Sequence, residues 1–216
     1  MGGREAAGGG RWVDVAPERL ARWIENFGTR HGAYGEEGLT LVAADGASAE
    51  MVAPPGAGPA GTIAELIREV GEPRRLGLLL ARKGAVAVGV AQGAELVASK
   101  VDTHYVQGRT AAGGWSQQRF ARRRDNQAKA AAADGAGIVG RLLLPEVRDL
   151  AALVTGGDRA AVEAILAAPQ LAPVAALRAG RLLDVPEPRH AILVSAVATA
   201  RAVSILVREP GAAGPA

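Results

Sequence analysis

Apolar residues recur along this chain with both helical and strand periods, and a Glu72-Pro73 boundary divides it into two units. Trp12 to Val15 is a short extended start. Pro17 stands where a first helical turn accepts proline, and Leu20, Trp23, Ile24 and Phe27 follow at three- and four-residue spacing, which predicts a helix ending near Gly28. Leu39–Ala43 and Glu50–Ala53 flank Ala44-Asp45-Gly46, the pattern of a hairpin. After a Pro/Gly-rich loop from Pro54 to Gly61, Thr62 and Glu65 form a capping-box pair that opens a helix through about Val70. Residues 12–75 are therefore expected to form a small N-terminal α/β unit, closed at Glu72-Pro73. Three apolar runs come next, Leu76–Ala81, Ala85–Ala91 and Ala94–Val101, broken by Arg82-Lys83-Gly84 and Gln92-Gly93. They read as an antiparallel meander.

Helices and strands then alternate. A helix is predicted over Ser116–Ala133, a second helical stretch over Gly135–Leu144 stopped by Pro145, a strand over Leu150–Val154 and a helix over Arg159–Ala167. A short strand at Leu182–Val185, a helix from Pro188 to Arg201 and a last strand at Val203–Val207 complete the pattern. Hairpin strands followed by alternating helices and strands make an α/β (α+β) chain, with a mixed sheet and flanking helices over residues 76–209. Residues 1–11 and 210–216 are Gly/Ala/Pro-rich and are expected to be disordered tails.

Composition narrows the chemistry more than it names it. Apolar residues are 49% of the 216, enough for a sizeable core, and no apolar run reaches the ~20 residues of a membrane span. The first eleven residues have no apolar stretch of the kind a signal peptide carries, so a soluble, cytoplasmic protein without membrane partners is expected. There is no cysteine, which excludes disulfides, a thiol nucleophile and thiolate-bound zinc. The three histidines, His31, His104 and His190, lie far apart, and no metal site or cofactor is expected. His104 sits near a strand end without a recognisable nucleophile or orienting acid, and capping or surface roles suffice for His31 and His190.

The net charge of +3 is small, so its clustering matters more. From Arg119 to Lys129 there are five cations and one acid, Asp125. Arg119, Arg122, Arg123, Asn126 and Lys129 share one face of a helix by spacing. Solvated helix faces normally mix signs, and arginine's planar fork suits phosphate, so this stripe points to an RNA or DNA backbone. Directly before it stand Gly113 and Gly114, which free the backbone, then Trp115, then Ser116 as a candidate N-cap. Trp115 has two readings, stacking on a base or packing on its own domain. Gly135-Ala136-Gly137-Ile138-Val139-Gly140 spells G-x-G-x-x-G, but it follows an Ala-rich helix rather than a strand, so it reads as a helix junction and not a dinucleotide site. Gly156-Gly157-Asp158 reads as a tight turn with Asp158 capping the next helix.

The stretch from Gly113 to Arg124, GGWSQQRFARRR, resembles the catalytic loop and following helix of archaeal and eukaryotic class I release factors. Those carry Gly-Gly-Gln-Ser, two variable residues and then Arg-Phe with further arginines. The family's glutamine position is Trp115 here. A divergent branch, the VLRF-type release-factor-like peptidyl-tRNA hydrolases, has a G-x-x-Q pattern that Gly114-Trp115-Ser116-Gln117 fits. The region from about Leu76 to Glu209 is similar to the actinobacterial members of that branch.

The resemblance implies an RNase H-like fold with a protruding Gly-Gly loop. It also implies hydrolysis of the peptidyl-tRNA ester at the peptidyl-transferase centre of the large ribosomal subunit, against 23S rRNA. Its catalytic group would be Gln117 on a tip made thin by Gly113 and Gly114, with Gln118 as the rival amide. An uncharged amide positions water and does not titrate. Trp115, Arg119, Arg122, Arg123, Arg124 and Lys129 would contact RNA. The limited length suggests stop-codon-independent rescue of stalled or split subunits. Two alternatives remain open: a non-catalytic ribosome- or RNA-binding module, for which Trp115 speaks, and a tRNA-end nuclease, for which Asp102, Asp125, Asp134 and Asp158 form no convincing metal-binding set.

Overall fold

A computed structural model describes residues 4–6, 9–82, 84–103 and 116–211, with the side chains of 116–126 outside the description. The described chain falls into two units. One comprises the residues up to Pro73 together with those from Ala198 onward, and the other is Arg74–Val197.

The first unit is built on a six-stranded sheet. Its strands are β1 (Arg4–Glu5), β2 (Arg11–Val15), β3 (Tyr34–Glu37), β4 (Thr40–Ala43), β5 (Ser48–Val52) and β11 (Val203–Arg208), in the order β1-β2-β11-β5-β4-β3. All pairings are antiparallel. Two helices accompany it, α1 (Pro17–His31) and α2 (Ile63–Gly71). Alternation sends Val15, Leu41, Ala49, Met51, Val203 and Ile205 to one side, where they meet Leu20, Ile24 and Phe27 of α1 and Ile63, Leu66 and Val70 of α2. The capping box predicted at Thr62 is present. Its hydroxyl accepts from the Glu65 N–H at 3.2 Å, and the Glu65 carboxylate accepts from the Gly61 and Thr62 N–H groups at 2.7 and 3.2 Å. Those N–H groups hold the Glu65 carboxyl below its ordinary 4.5.

Several expectations change here. Val203–Val207, expected to finish the domain over 76–209, pairs with β2 and β5 in the first sheet. Arg4–Glu5, expected in a disordered tail, pairs with β2. Strand β3, unmarked by any apolar alternation, adds an edge beside the hairpin. His31 is buried rather than superficial. It packs 4.8 Å from the Phe27 ring, and its Nδ1 lies 2.9 Å from the Asp45 carboxylate. The Ala47 N–H and then His31 lower the Asp45 pKa.

The second unit carries a five-stranded sheet of β6 (Arg75–Arg82), β7 (Ala85–Gln92), β8 (Glu95–Thr103), β9 (Ala152–Gly157) and β10 (Arg178–Leu183), ordered β10-β9-β6-β7-β8. β6, β7 and β8 form the predicted antiparallel meander, while β9 runs parallel to β6 and β10 parallel to β9. Counted within this sheet the order is 3-2-1-4-5 with the second strand reversed, the mixed RNase H-like arrangement.

The crossovers supply the helices: α3 (Ser116–Leu143) between β8 and β9, then α4 (Arg159–Leu166), a 3-10 turn at Pro169–Leu171 and α5 (Ala172–Ala175) between β9 and β10. The last helix, α6 (His190–Arg201), follows β10. One face of the sheet, with Leu79, Val86, Val88 and Leu153, packs on Ala136, Val139 and Leu143 of α3 and Val162 and Ile165 of α4. Gly89 on the opposite face leaves room for Leu193 of α6, since a Cβ there would stand 3.0 Å from its side chain. The chain is thus an α+β protein with two sheets and six α-helices among the described residues.

Candidate nucleic-acid interface

Position in the fold makes α3 the element to examine. At 28 residues it is about 42 Å long. Its C-terminal third is buried at Ala136, Ile138, Val139 and Leu143, whereas none of the described side chains before Gly135 is buried. The two helices expected over Ser116–Ala133 and Gly135–Leu144 are one. Gly135 does not break it; a Cβ there would sit 2.9 Å from Ile165 Cδ1 and 3.5 Å from Val86, so glycine lets α3 lie against α4 and β7. The literal G-x-G-x-x-G consequently lies inside the C-terminal third of a helix, with no phosphate-binding turn.

The helix begins at Ser116, so Ser116 is its first residue, and Gln117, Gln118 and Arg119 share its first turn. Gly113, Gly114 and Trp115 lie outside the described residues, as does His104. At 3.6 residues per turn, positions 119, 122, 123 and 126 fall on the side of the axis opposite the core-packed line through 135, 139 and 142. Positions 117 and 124 fall on the core-side line extended toward the N-terminus. Positions 119, 122, 123 and 126 thus share one side of the helix. Arg124 stands apart from it, and Lys129, at the stripe's border, is exposed.

No acidic residue occupies the first turn of α3. Acids normally complement the exposed N–H groups and positive dipole at such an end. Here the first turn ends on Arg119 instead.

Around the root of α3 the local structure is fixed closely. Asp158 caps α4, its Oδ1 accepting from the Ala160 and Ala161 N–H groups at 2.9 and 3.3 Å. Its own N–H donates to the Ala81 carbonyl at 2.7 Å. Gly157 makes that approach possible with φ of +93°, since a Cβ would stand 2.3 Å from the Ala81 carbonyl oxygen. At the other end, Arg75 donates through Nε to Glu146 at 2.8 Å and so ties the start of β6 to the turn after α3. Asp158 was legible as a cap. Its contact with the Ala81 carbonyl was not, because only strand pairing brings the end of β6 to the start of α4.

Among the described residues no group of three or more His, Asp or Glu side chains could hold a metal ion. No described helix is long and apolar enough to cross a membrane.

Comparison with known proteins sets the chain among the release factors of translation. More narrowly, it belongs to the Actinobacteria/chloroflexi VLRF1 release factor family, which matches residues 74–206, more than half of its length. A release-factor-related, ribosome-associated function follows from that membership. No curated protein matches the chain. Among solved structures it is similar to the crystal structure of the archaeal translation termination factor aRF1, at 13% identity and a TM-score of 0.42. That similarity covers 88% of this chain and 65% of the archaeal one, so the chain spans less than two thirds of that factor.

Proposed function

We propose that this protein is a peptidyl-tRNA hydrolase that frees nascent peptide from stalled or split large ribosomal subunits without reading a stop codon. The observation that supports the reading is α3, a long helix over Ser116–Leu143 with Gln117 in its first turn and positions 119, 122, 123 and 126 along one side. In this reading Gly113 and Gly114 make the tip narrow enough to enter a site built of 23S rRNA. Arg119, Arg122, Arg123, Arg124 and Lys129, with Trp115 against a base, hold it on RNA.

The Gln117 amide accepts a hydrogen bond from the attacking water and donates one in turn. The water oxygen adds to the ester carbonyl, the bond to the tRNA ribose oxygen breaks, and that oxygen takes the proton. No side chain need titrate; positioning and hydrogen bonding to the developing oxyanion lower the barrier.

Release of labelled peptide from purified large subunits carrying peptidyl-tRNA tests this. Gln117→Ala is expected to slow release by about a hundredfold or more, the effect of losing one preorganised polar group. Gln118→Ala is expected to change it little. Parent-like release by Gln117→Ala would reject the mechanism.

The second reading, an RNA-binding module without hydrolysis, is favoured by Trp115 standing where class I release factors carry glutamine. It predicts subunit binding and no release by the parent protein in the same assay.

A further inference from the structure

Three glycines, Gly135, Gly137 and Gly140, stand close together in α3, and packing accounts for one of them. A Cβ on Gly135 would stand 2.9 Å from Ile165 Cδ1, so that position must be small for α3 to meet α4. Gly137 and Gly140 carry no such demand. Among the described residues, a Cβ on Gly137 would meet only the far end of the Arg141 side chain, at 3.4 Å. One on Gly140 would lie 3.8 Å from Leu144 Cδ1 and from Leu171 Cδ2, an ordinary contact distance. Alanine fits both sites and favours a helix over glycine. Both glycines therefore weaken α3 without any gain in packing.

Their placement gives the weakness a direction. At 3.6 residues per turn, 137 and 140 fall on the side of the axis away from Gly135 and α4. Both are half-buried, so water reaches the backbone there. Carbonyls that face water tilt outward and their hydrogen bonds lengthen, which bends a helix toward its other side. For α3 that bend is toward α4.

The space for it is present. N-terminal to the contact of Gly135 with Ile165, a cleft of about 380 Å³ lies between the two helices. Ala128, Ala131 and Ala132 line it from α3, and Ala160, Ala161 and Ala164 from α4. Facing alanines let two helices approach closely, since the distance between axes is set by the side chains at the contact.

We propose that α3 flexes at Gly137 and Gly140 and closes this cleft against α4, and that the flexing aims the end of α3 that carries Gln117. From Gly137 to Gln117 the helix runs about 30 Å, so a bend of about 20° carries Gln117 through about 10 Å. A far smaller displacement separates a productive from an unproductive position of a catalytic group. The aiming role rests on the reading of α3 as the release probe; the bend itself does not.

The chain has no cysteine, so a pair of spin labels goes only where cysteines are introduced. Ala130→Cys and Glu163→Cys, both at exposed positions, put one label on α3 beyond the glycines and one on α4. Pulsed electron spin resonance on the full-length protein is expected to give two distances that differ by about 4 Å, the shift of position 130 on a lever of about 10 Å. Adding Gly137→Ala and Gly140→Ala is expected to leave the longer distance alone and to raise the urea midpoint. Ala131→Leu, which fills the cleft, is expected to remove the shorter distance. A single narrow distance in the labelled parent overturns the proposal. So does a glycine variant that keeps both distances, or an Ala131→Leu protein that keeps the shorter one.

Peptide release tests the aiming role. With large subunits carrying peptidyl-tRNA, the unlabelled Gly137→Ala/Gly140→Ala protein is expected to bind like the parent and to release peptide about tenfold more slowly. Slower release from a more stable protein is not what a purely structural change gives. Parent-like release by this variant overturns the aiming role. If the parent itself releases no peptide, the aiming role falls with the release reading, and the spin-label distances alone decide the bend.

Discussion

Single residues set conditions here that their neighbours cannot relax. Gly157 combines a φ of +93° with a Cβ position only 2.3 Å from the Ala81 carbonyl oxygen. Gly157→Ala must therefore move backbone as well as strain it, and should cost about 2 kcal/mol or more. Gly180→Ala is the matching control: no atom lies within 4 Å of its Cβ position, and it should shift the urea midpoint little. Equal midpoints for the two variants would mean that the turn before α4 is not tightly held. Carboxylates give a second test at this scale. Glu65, with N–H donors from Gly61 and Thr62, and Asp45, with the Ala47 N–H and His31, both have lowered pKa values in the fold. The unfolded chain then binds their protons more tightly. Their stabilising contribution is complete above the ordinary values of 4.5 and 3.8, and it is lost as pH falls through the lowered folded values. Unfolding of the first unit should accordingly become easier below pH 4.5, and Glu65→Gln should make that decline shallower when midpoints are compared from pH 6 down to pH 3.

At the scale of elements, α3 joins the fold to the proposed function, and its charge pattern makes a quantitative prediction. Each phosphate neutralised on single-stranded RNA contributes about 0.7 to the slope of log affinity against log salt. Replacing Arg119, Arg122 and Arg123 together by alanine should lower that slope by about 2 for binding to large subunits. An unchanged slope would remove the stripe from the interface. The stripe was legible in the sequence because it needs only helical spacing. So were α1, α2 and the meander of β6, β7 and β8, whose periods are clean and whose ends carry a proline, a capping box or glycine turns. The continuity of α3 was not legible. Gly135, Gly137 and Gly140 each disfavour helix by about 1 kcal/mol relative to alanine, which reads as a break. What overrides that cost is tertiary, the close packing of Ile165 on Gly135. Strand β3 escaped for the opposite reason: Tyr34-Gly35-Glu36-Glu37 has no alternation, and pairing with β4 alone makes it a strand.

For the whole molecule, the decisive feature is where β11 pairs. Val203–Val207 carries the apolar density of a buried strand, and nothing in its sequence says which sheet it joins. The structure inserts it between β2 and β5, in the interior of the first sheet. Val203, Ile205 and Val207 enter the core formed with Leu20, Phe27 and Leu66. The first unit is therefore discontinuous in sequence, whereas every strand of the second sheet lies between Arg75 and Leu183. A chain ending at Arg201 should thus fail selectively. β2 would keep only the two-residue β1 as a partner, and β5 would become an edge. The core of the first unit would lose three fully or nearly buried side chains, each worth about 1.5–3 kcal/mol of burial. That sum is comparable to the total stability of a small domain. Hydrogen exchange should show protection lost in β2, β5 and α1 of the truncated chain, while β6, β7 and β9 retain it. Protection persisting in β2 and β5 would show that the N-terminal residues close their core without β11.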